Sequence, residues 1–261
     1  MPRWNLNPDY AHLTADFGSL EAVFALRGET LTSDPRSEVI RVERAGVRYY
    51  VKRYGVGAGH VREWRLYWRR YLRQGLLNFL PRPRVKAEWQ NLKQFAKWNI
   101  PVPEMVAWGM ERRFGAFHRG ALITRELVGA QDLAALAHLD DPRFLDGQWV
   151  LRVSRQIAAH TRTLHENRFI HNDLKWRNIL VDASDKVWFI DCPLGAYWVG
   201  AMLTYRQIKD LACLDRLARQ HLSATQRLRF YRLYRRYPPE RRLDAADKKW
   251  LRAIAHFFEE E

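Results

Sequence analysis

The amino-acid sequence predicts an α+β fold of two lobes, a small N-terminal lobe built on an antiparallel sheet and a mainly helical C-terminal lobe. Residues 38–54 alternate apolar and polar side chains around a glycine-containing turn, which is typical of a β-hairpin. Residues 148–165 repeat apolar side chains every three or four positions, which is typical of an amphipathic helix. A polar segment at 171–178 then leads into a short apolar run at 187–190, which we expect to be a buried strand.

A basic insertion at about 57–84 follows the hairpin. Its centre, 61–77, has helical spacing, with a stripe of arginines beside a stripe of aromatic residues. Such a face suits anionic head groups or sugar phosphates. An ordinary helix that buries its aromatic residues and solvates its arginines is the alternative. The predicted surface consists of Arg62, Trp64, Arg65, Trp68, Arg69 and Arg73.

The next helix is predicted from Val85 to about Trp98, where the following prolines end it. Glu88 on this helix is expected to pair with Lys52, which lies on the second strand of the hairpin. A surface carboxylate bonded to a neighbour on its own helix is the alternative for Glu88, and a solvated strand lysine is the alternative for Lys52.

The apolar run at 120–124 predicts a buried strand that ends the first lobe at residue 127. A strand that meets a connection between lobes offers backbone donors and acceptors to the edge of an adenine base. We therefore expect a nucleotide hinge at Arg125, Glu126 and Leu127, and we place the second lobe at 128–261.

The spacing of three polar residues indicates a phosphoryl-transfer core like that of kinases. A hydroxyl that attacks a γ-phosphate needs one carboxylate to orient it and accept its proton, and separate oxygen ligands for magnesium. Asp173 and Asn178 lie on one loop, and Asp191 ends the apolar run. Asp173 is therefore the candidate base, and Asn178 and Asp191 are the candidate metal ligands. A merely polar loop is the alternative, but it does not explain Asp191.

Other features complete this interpretation. Lys52 would reach the α- and β-phosphates, as the strand lysine does in kinases. Residues 30–37, where a glycine-rich phosphate loop belongs, contain no glycine. We expect His171 to be a scaffold residue that bonds to the backbone, and Asp210 either to brace the catalytic loop or to lie exposed on a helix. No A-P-E motif follows Asp191, so a long regulatory activation segment is not expected.

Charge is the second strong signal. The chain has 44 Lys and Arg against 29 Asp and Glu, a formal net charge of +15, together with 11 Trp and 11 Tyr. A basic excess of this size favours an anionic partner, either nucleic acid, a phosphorylated small molecule or an acidic membrane surface.

Cys192 and Cys213 form no disulfide framework and no metal-ligand pattern, so we expect two buried thiols in a reducing compartment. The N-terminus lacks an apolar signal region, and no run is long enough to span a bilayer. The expected location is therefore cytoplasmic.

With these residues placed, the chain resembles the lipopolysaccharide core kinase family (WaaP, InaA and KdkA type), whose fold is protein-kinase-like. The resemblance runs from about Val39 through Asp210. It rests on residues 50–54, the basic insertion, 88–92 with 100–103, 123–127 and the polar segment at 171–178, which we call the catalytic segment or catalytic loop.

The resemblance implies ATP-dependent phosphorylation of an inner-core sugar, a heptose or Kdo, of the lipid A-linked core at the cytoplasmic face of the inner membrane. ATP and Mg²⁺ would be the cofactors, with Lys175 as a possible γ-phosphate contact. The partners would be the lipopolysaccharide core and an anionic membrane surface, to which the enzyme binds peripherally, and no nucleic acid is expected.

Two other functions remain open on the sequence. A small-molecule (aminoglycoside-type) or protein phosphotransferase would use the same core, although enzymes for cationic substrates usually present acidic patches. A noncatalytic basic pseudokinase would explain the charge but has no need for the three polar residues of the core together.

Overall fold

The computed structural model describes residues 3–35, 37–55, 82–238 and 240–259. Their contacts divide the chain into two compact units, one made of Met1–Gln90 with Pro103–Glu126 and the other of Asn91–Val102 with Leu127–Glu261. Residues 91–102, which the predicted division at 127/128 assigned to the first lobe, thus group with the second unit.

The first unit is built on a six-stranded antiparallel sheet in the order β1-β5-β6-β4-β3-β2. Two short helices, α1 and α2, follow the first strand in the chain. The strands are β1 (Arg3–Leu6), β2 (Glu29–Asp34), β3 (Ser37–Arg44), β4 (Val47–Tyr54), β5 (Met105–Arg113) and β6 (Ala116–Arg125), and the helices are α1 (Thr14–Phe17) and α2 (Leu20–Ala25).

The predicted hairpin is the β3–β4 pair, and its turn explains its register. Arg44 pairs with Val47, so the loop has only two residues, Ala45 and Gly46. Both have positive φ angles, 50° and 75°, which is the conformation that two-residue hairpin turns require. Because side chains alternate along β4, Val51 points into the core while Lys52 lies on the opposite face.

The core of the first unit lies between the sheet and the N-terminal segment. Phe17, Leu20 and Val23 are fully buried there, and they pack with Val51 and Ile123 from the two central strands. Fully burying one such side chain contributes about 1.5–3 kcal/mol. This apolar layer fixes the strand that carries Lys52.

The second unit is mainly helical. Helix α3 (Arg84–Lys97) begins in the first unit and enters the second at Asn91. The helices that follow are α4 (Leu133–His138), α5 (Gly147–Glu166), α6 (Gly200–His221), α7 (Ala224–Tyr234) and α8 (Ala245–His256). None of the helices in the described ranges is both long and apolar enough to cross a bilayer.

Two small antiparallel sheets complete the second unit. One has the order β10-β9-β7 and the other pairs β11 with β8. The strands are β7 (Gln131–Asp132), β8 (Phe169–Ile170), β9 (Ile179–Val181), β10 (Val187–Phe189) and β11 (Ala196–Tyr197). The catalytic segment therefore lies between two short strands, β8 and β9.

The fold confirms the predicted α+β class. The predicted helices and strands that fall within the described residues are present within two or three residues, apart from β6, which begins four residues earlier. The predicted helix at 85–98 is α3, the one at 148–165 is α5, and the run at 187–190 forms β10. The basic insertion lies outside the described residues, apart from its last three positions, 82–84. Its predicted surface residues Arg62, Trp64, Arg65, Trp68, Arg69 and Arg73 therefore also lie outside them.

Candidate active site

The catalytic segment is held between β8 and β9 by a single turn of 3₁₀ helix, Trp176–Asn178. Leu174 and Trp176 are buried and anchor the segment, while Asp173 and Lys175 alternate with them and lie closer to the surface. This alternation of apolar anchors and polar groups aims the polar side chains away from the core.

Asp173 lies among cationic and amide donors. Lys175 Nζ is 2.6 Å from Asp173 Oδ1, and Arg177 Nη2 is 3.5 Å from Oδ2. The Asn178 amide donates to the Asp173 carbonyl at 2.8 Å and to Oδ2 at 3.3 Å. Burial opposes the charge of this carboxylate, but the Lys175 ammonium, helped by Arg177 and Asn178, outweighs it and lowers the pKa of Asp173 below its ordinary value.

Asn178 and Asp191 are brought together by the β9–β10 ladder. Ile179 pairs with Phe189, and the amide of Ile190 donates to the Asn178 carbonyl at 3.0 Å. Asp191 is the next residue, and its φ angle of 55° turns the chain out of the strand. Since the Asn178 nitrogen is directed at Asp173, the amide oxygen is the group left to act as a metal ligand.

Asp210 on helix α6 braces the catalytic loop through hydrogen bonds to its backbone amides, as one of the two sequence interpretations predicted. It is fully buried and accepts the amides of His171 at 2.8 Å and Asn172 at 3.0 Å. His165 Nε2 lies 3.4 Å from the same carboxylate, and its Nδ1 lies 2.8 Å from the Tyr234 hydroxyl. A hydrogen bond to a charged group contributes about 1.5–3 kcal/mol, so these contacts strongly favour one conformation of the loop.

His171 is a scaffold residue in a different way from the one expected. Its backbone amide is bonded, but its two ring nitrogens have no hydrogen-bond partner among the described residues. The ring instead lies near Phe95 and Phe189. Complete burial lowers the pKa of His171, so the neutral ring is favoured and it contributes to packing with its aromatic neighbours.

Asn91 of helix α3 fastens the segment that follows Asp191, and sequence reasoning did not identify it. Its buried amide donates to the Cys192 carbonyl at 2.7 Å and to the Gly195 carbonyl at 3.2 Å. Asn172 adds a bond of 2.8 Å to the carbonyl of Leu194. The only sequence signal was an amide on the apolar side of the helix, three residues after Glu88.

The predicted pair of Lys52 and Glu88 is present in the first unit. Lys52 Nζ lies 3.2 Å from Glu88 Oε2, and both side chains are largely buried. The Tyr54 hydroxyl also donates to Glu88. A buried ion pair of this kind holds the lysine in one direction, and the cost of burying Glu88 is offset by its two donors.

The hinge residues predicted at the end of β6 use several of their backbone groups within the protein. The Arg125 amide donates to Glu104 and the Glu126 amide to Arg48, each at 2.9 Å, and the Leu127 carbonyl accepts from Ala130 at 3.0 Å. The Glu126 carboxylate accepts from the Tyr50 hydroxyl at 3.2 Å. The nucleotide-binding role of these residues stays a prediction.

Most of the glycine-free segment at 30–37 belongs to strand β2, which ends at Asp34, and β3 begins at Ser37. The Asp34 carboxylate accepts the amide of Ser37 at 3.0 Å and its hydroxyl at 3.2 Å. Side-chain bonds of this type stabilise tight turns without glycine.

Comparisons with known proteins identify the family of this chain. The model of the lipopolysaccharide kinase (Kdo/WaaP) family matches residues 33–234. The 3-deoxy-D-manno-octulosonic acid kinase of Actinobacillus succinogenes is 30% identical, with 47% of this chain and 54% of that protein covered. The enzyme of the same name from Vibrio vulnificus is 30% identical, with 40% and 41% covered. The chain thus spans about half the length of the curated relatives it matches.

A solved structure, WaaP in complex with acyl carrier protein, has a similar fold along the whole chain. The TM-score is 0.70 at 21% sequence identity, and 99% of this chain and 98% of that chain are covered. The match confirms the protein-kinase-like fold.

Proposed function

Because the chain belongs to the lipopolysaccharide kinase (Kdo/WaaP) family, we propose that it transfers the γ-phosphoryl group of ATP to a hydroxyl of an inner-core sugar of lipopolysaccharide. We favour 3-deoxy-D-manno-octulosonic acid (Kdo) as the acceptor because the relatives reported above are kinases of that sugar; a heptose is the other candidate. The observation that carries the proposal is the single loop on which Asp173, Lys175 and Asn178 converge.

The donor set fits magnesium. Mg²⁺ prefers oxygen ligands and usually keeps water and substrate phosphates in its shell. Asn178 and Asp191 offer one amide and one carboxylate from neighbouring ladder positions. The described residues contain no group of three or more His, Cys, Asp or Glu that could hold a metal ion, so phosphate and water would complete the coordination. Magnesium ATP would supply the phosphoryl group, and Asn178 and Asp191 would hold the metal.

Asp173 would orient the acceptor hydroxyl. Its lowered pKa makes it a weak base at neutral pH, which suits a reaction in which the nucleophile needs positioning more than early deprotonation. The proton would move to a carboxylate oxygen as the phosphoryl group is transferred. Lys175 would hold Asp173 in place and contact the γ-phosphate.

Lys52 would contact the α- and β-phosphates, with Glu88 fixing its direction. At the hinge, Arg125 and Glu126 donate their amides within the sheet. The Leu127 amide and the Glu126 carbonyl would then be the groups offered to the adenine edge.

The proposed location is the cytoplasmic face of the inner membrane, with peripheral binding. The basic charge of the chain and the arginine and tryptophan stripes predicted at 61–77 support this location. A polyanionic, membrane-embedded glycolipid would attract such a surface.

The proposal is tested by mass spectrometry of core oligosaccharide from cells with and without the gene. We expect the loss of one phosphate from an inner-core sugar, and fragmentation would assign it to Kdo or heptose. An unchanged phosphorylation pattern would contradict the proposed acceptor.

A further inference from the structure

The second unit contains a cavity of about 380 Å³ whose polar lining is almost entirely arginine. It lies between helix α5 and the end of helix α7. None of the described residues that line it is acidic. The four arginines are Arg155, Arg162, Arg232 and Arg236.

Two of these guanidinium groups are held at the wall by backbone carbonyls. Arg162 Nη1 donates to the Leu233 carbonyl at 2.8 Å. Arg232 Nη2 donates to the carbonyls of Pro238 at 2.8 Å and Arg241 at 2.7 Å. These bonds fix the direction of both side chains. Arg162 Nε is buried without a hydrogen-bond acceptor among the described residues.

The positive charge of the cavity is poorly balanced. Among the described residues, the carboxylate that pairs with these arginines is that of Glu166. It is 53% exposed and lies 3.8 Å from Arg162 Nε and 3.7 Å from Arg236 Nη1. Both distances are too long for a hydrogen bond. Burial and, after it, the charge of Arg236 lower the pKa of Arg162. Guanidinium groups thus crowd one another, and a bound anion would relieve that repulsion.

We propose that this cavity binds a phosphate group, as a phosphate monoester or a pyrophosphate. Guanidinium groups bind phosphate oxygens in pairs of parallel hydrogen bonds. The wall also includes Leu233 and the ring of Tyr237, which suit the carbon skeleton that carries the phosphate. The site goes beyond the proposed function, because it shares no residue with the catalytic loop.

The first test is calorimetric titration of the full chain with inorganic pyrophosphate in metal-free buffer. The test variant is Arg155→Gln/Arg236→Gln. Both side chains are exposed, and among the described residues neither makes a bond to a backbone carbonyl of the kind that Arg162 and Arg232 make. The control is Arg216→Gln/Arg252→Gln, which removes the same charge from exposed positions outside the cavity. We expect the cavity variant to bind at least about tenfold more weakly and the control to bind like the wild type.

Pyrophosphate would also bind at the nucleotide site, so Lys52→Ala is titrated in parallel. A loss confined to Lys52→Ala, or an equal loss in the cavity and control variants, would overturn the proposal. Co-sedimentation with phosphatidylcholine vesicles, with or without phosphatidic acid, distinguishes a lipid head group from a free ligand. Binding of either phosphate source that depends on Arg155 and Arg236 supports the site, and binding of neither by the wild type overturns it.

Discussion

At the scale of single residues, Asp173 keeps its charge because of its neighbours and not because of exposure. Its side chain is only 20% exposed, yet Lys175 Nζ lies 2.6 Å away. A carboxylate whose folded pKa is lowered contributes stability above its ordinary pKa of 3.8, and this contribution is lost as the pH falls through the lower folded value. Near neutral pH Asp173 is therefore fully ionised and able to orient a hydroxyl.

Replacing Lys175 with methionine removes the main group that lowers the pKa of Asp173. Burial would then dominate, the pKa would rise, and the acidic limb of the pH profile of kcat/KM would move to higher pH. The matched control is Arg177→Met, because Arg177 is 62% exposed and its nearest contact to Asp173 is 3.5 Å. We expect a smaller shift in that variant. Superimposable acidic limbs for wild type and Lys175→Met would contradict the assigned role.

At the scale of elements, helix α3 carries two residues that have different partners, one in each unit. Glu88 pairs with Lys52, and Asn91, three positions later, fastens the segment after Asp191. Residues three apart lie on the same side of a helix. The Asp191 backbone has positive φ, which is uncommon for a residue other than glycine. The bonds from Asn91 help to keep the chain in that conformation.

Replacing Asn91 with leucine leaves the carbonyls of Cys192 and Gly195 without this donor. The expected loss of stability is about 1–3 kcal/mol. If the segment positions Asp191, the magnesium concentration needed for half-maximal activity will also rise, while nucleotide affinity measured without metal stays the same. The checks are a magnesium titration of activity and a denaturant titration of folding.

A suitable control for this variant is Asn167→Ala. Asn167 also donates its amide to a carbonyl, that of Thr163 at 2.8 Å, but it does so at the exposed end of helix α5. Its magnesium dependence should match the wild type. A purely structural role for Asn91 would be indicated by lost stability with an unchanged magnesium requirement.

The elements that the sequence predicted are those whose signals are local. The β3–β4 hairpin and helix α5 follow from periodicity within a few residues, and the catalytic loop follows from spacing within eight. Strand β1 was not predicted, because its partner β5 lies about a hundred positions away and its four residues have no pattern of their own. Asn91 was missed for the same reason, since its bond to Cys192 spans 101 positions.

At the scale of the whole molecule, the net charge is +15, and its arginines have different surroundings. Some pair closely with carboxylates, and others line the cavity described above. Asp215, for example, is held by both Arg219 and Arg227 at 2.9 Å and 2.7 Å, so those charges serve the packing of the helices. The cavity lined by Arg155 and Arg236 has no acidic residue among its described lining residues. Composition alone predicted an anionic partner but not which arginines would meet it.

The central claim is that this member of the lipopolysaccharide kinase family transfers phosphate from ATP to an inner-core sugar through Asp173. The most direct measurement is transfer of labelled γ-phosphate from ATP to purified Kdo–lipid A, with heptose-containing core and an aminoglycoside as parallel acceptors. We predict that the wild type labels an inner-core acceptor and that Asp173→Ala loses nearly all transfer while still binding ATP. Turnover by Asp173→Ala at the wild-type rate, or labelling of the aminoglycoside alone, would contradict the account.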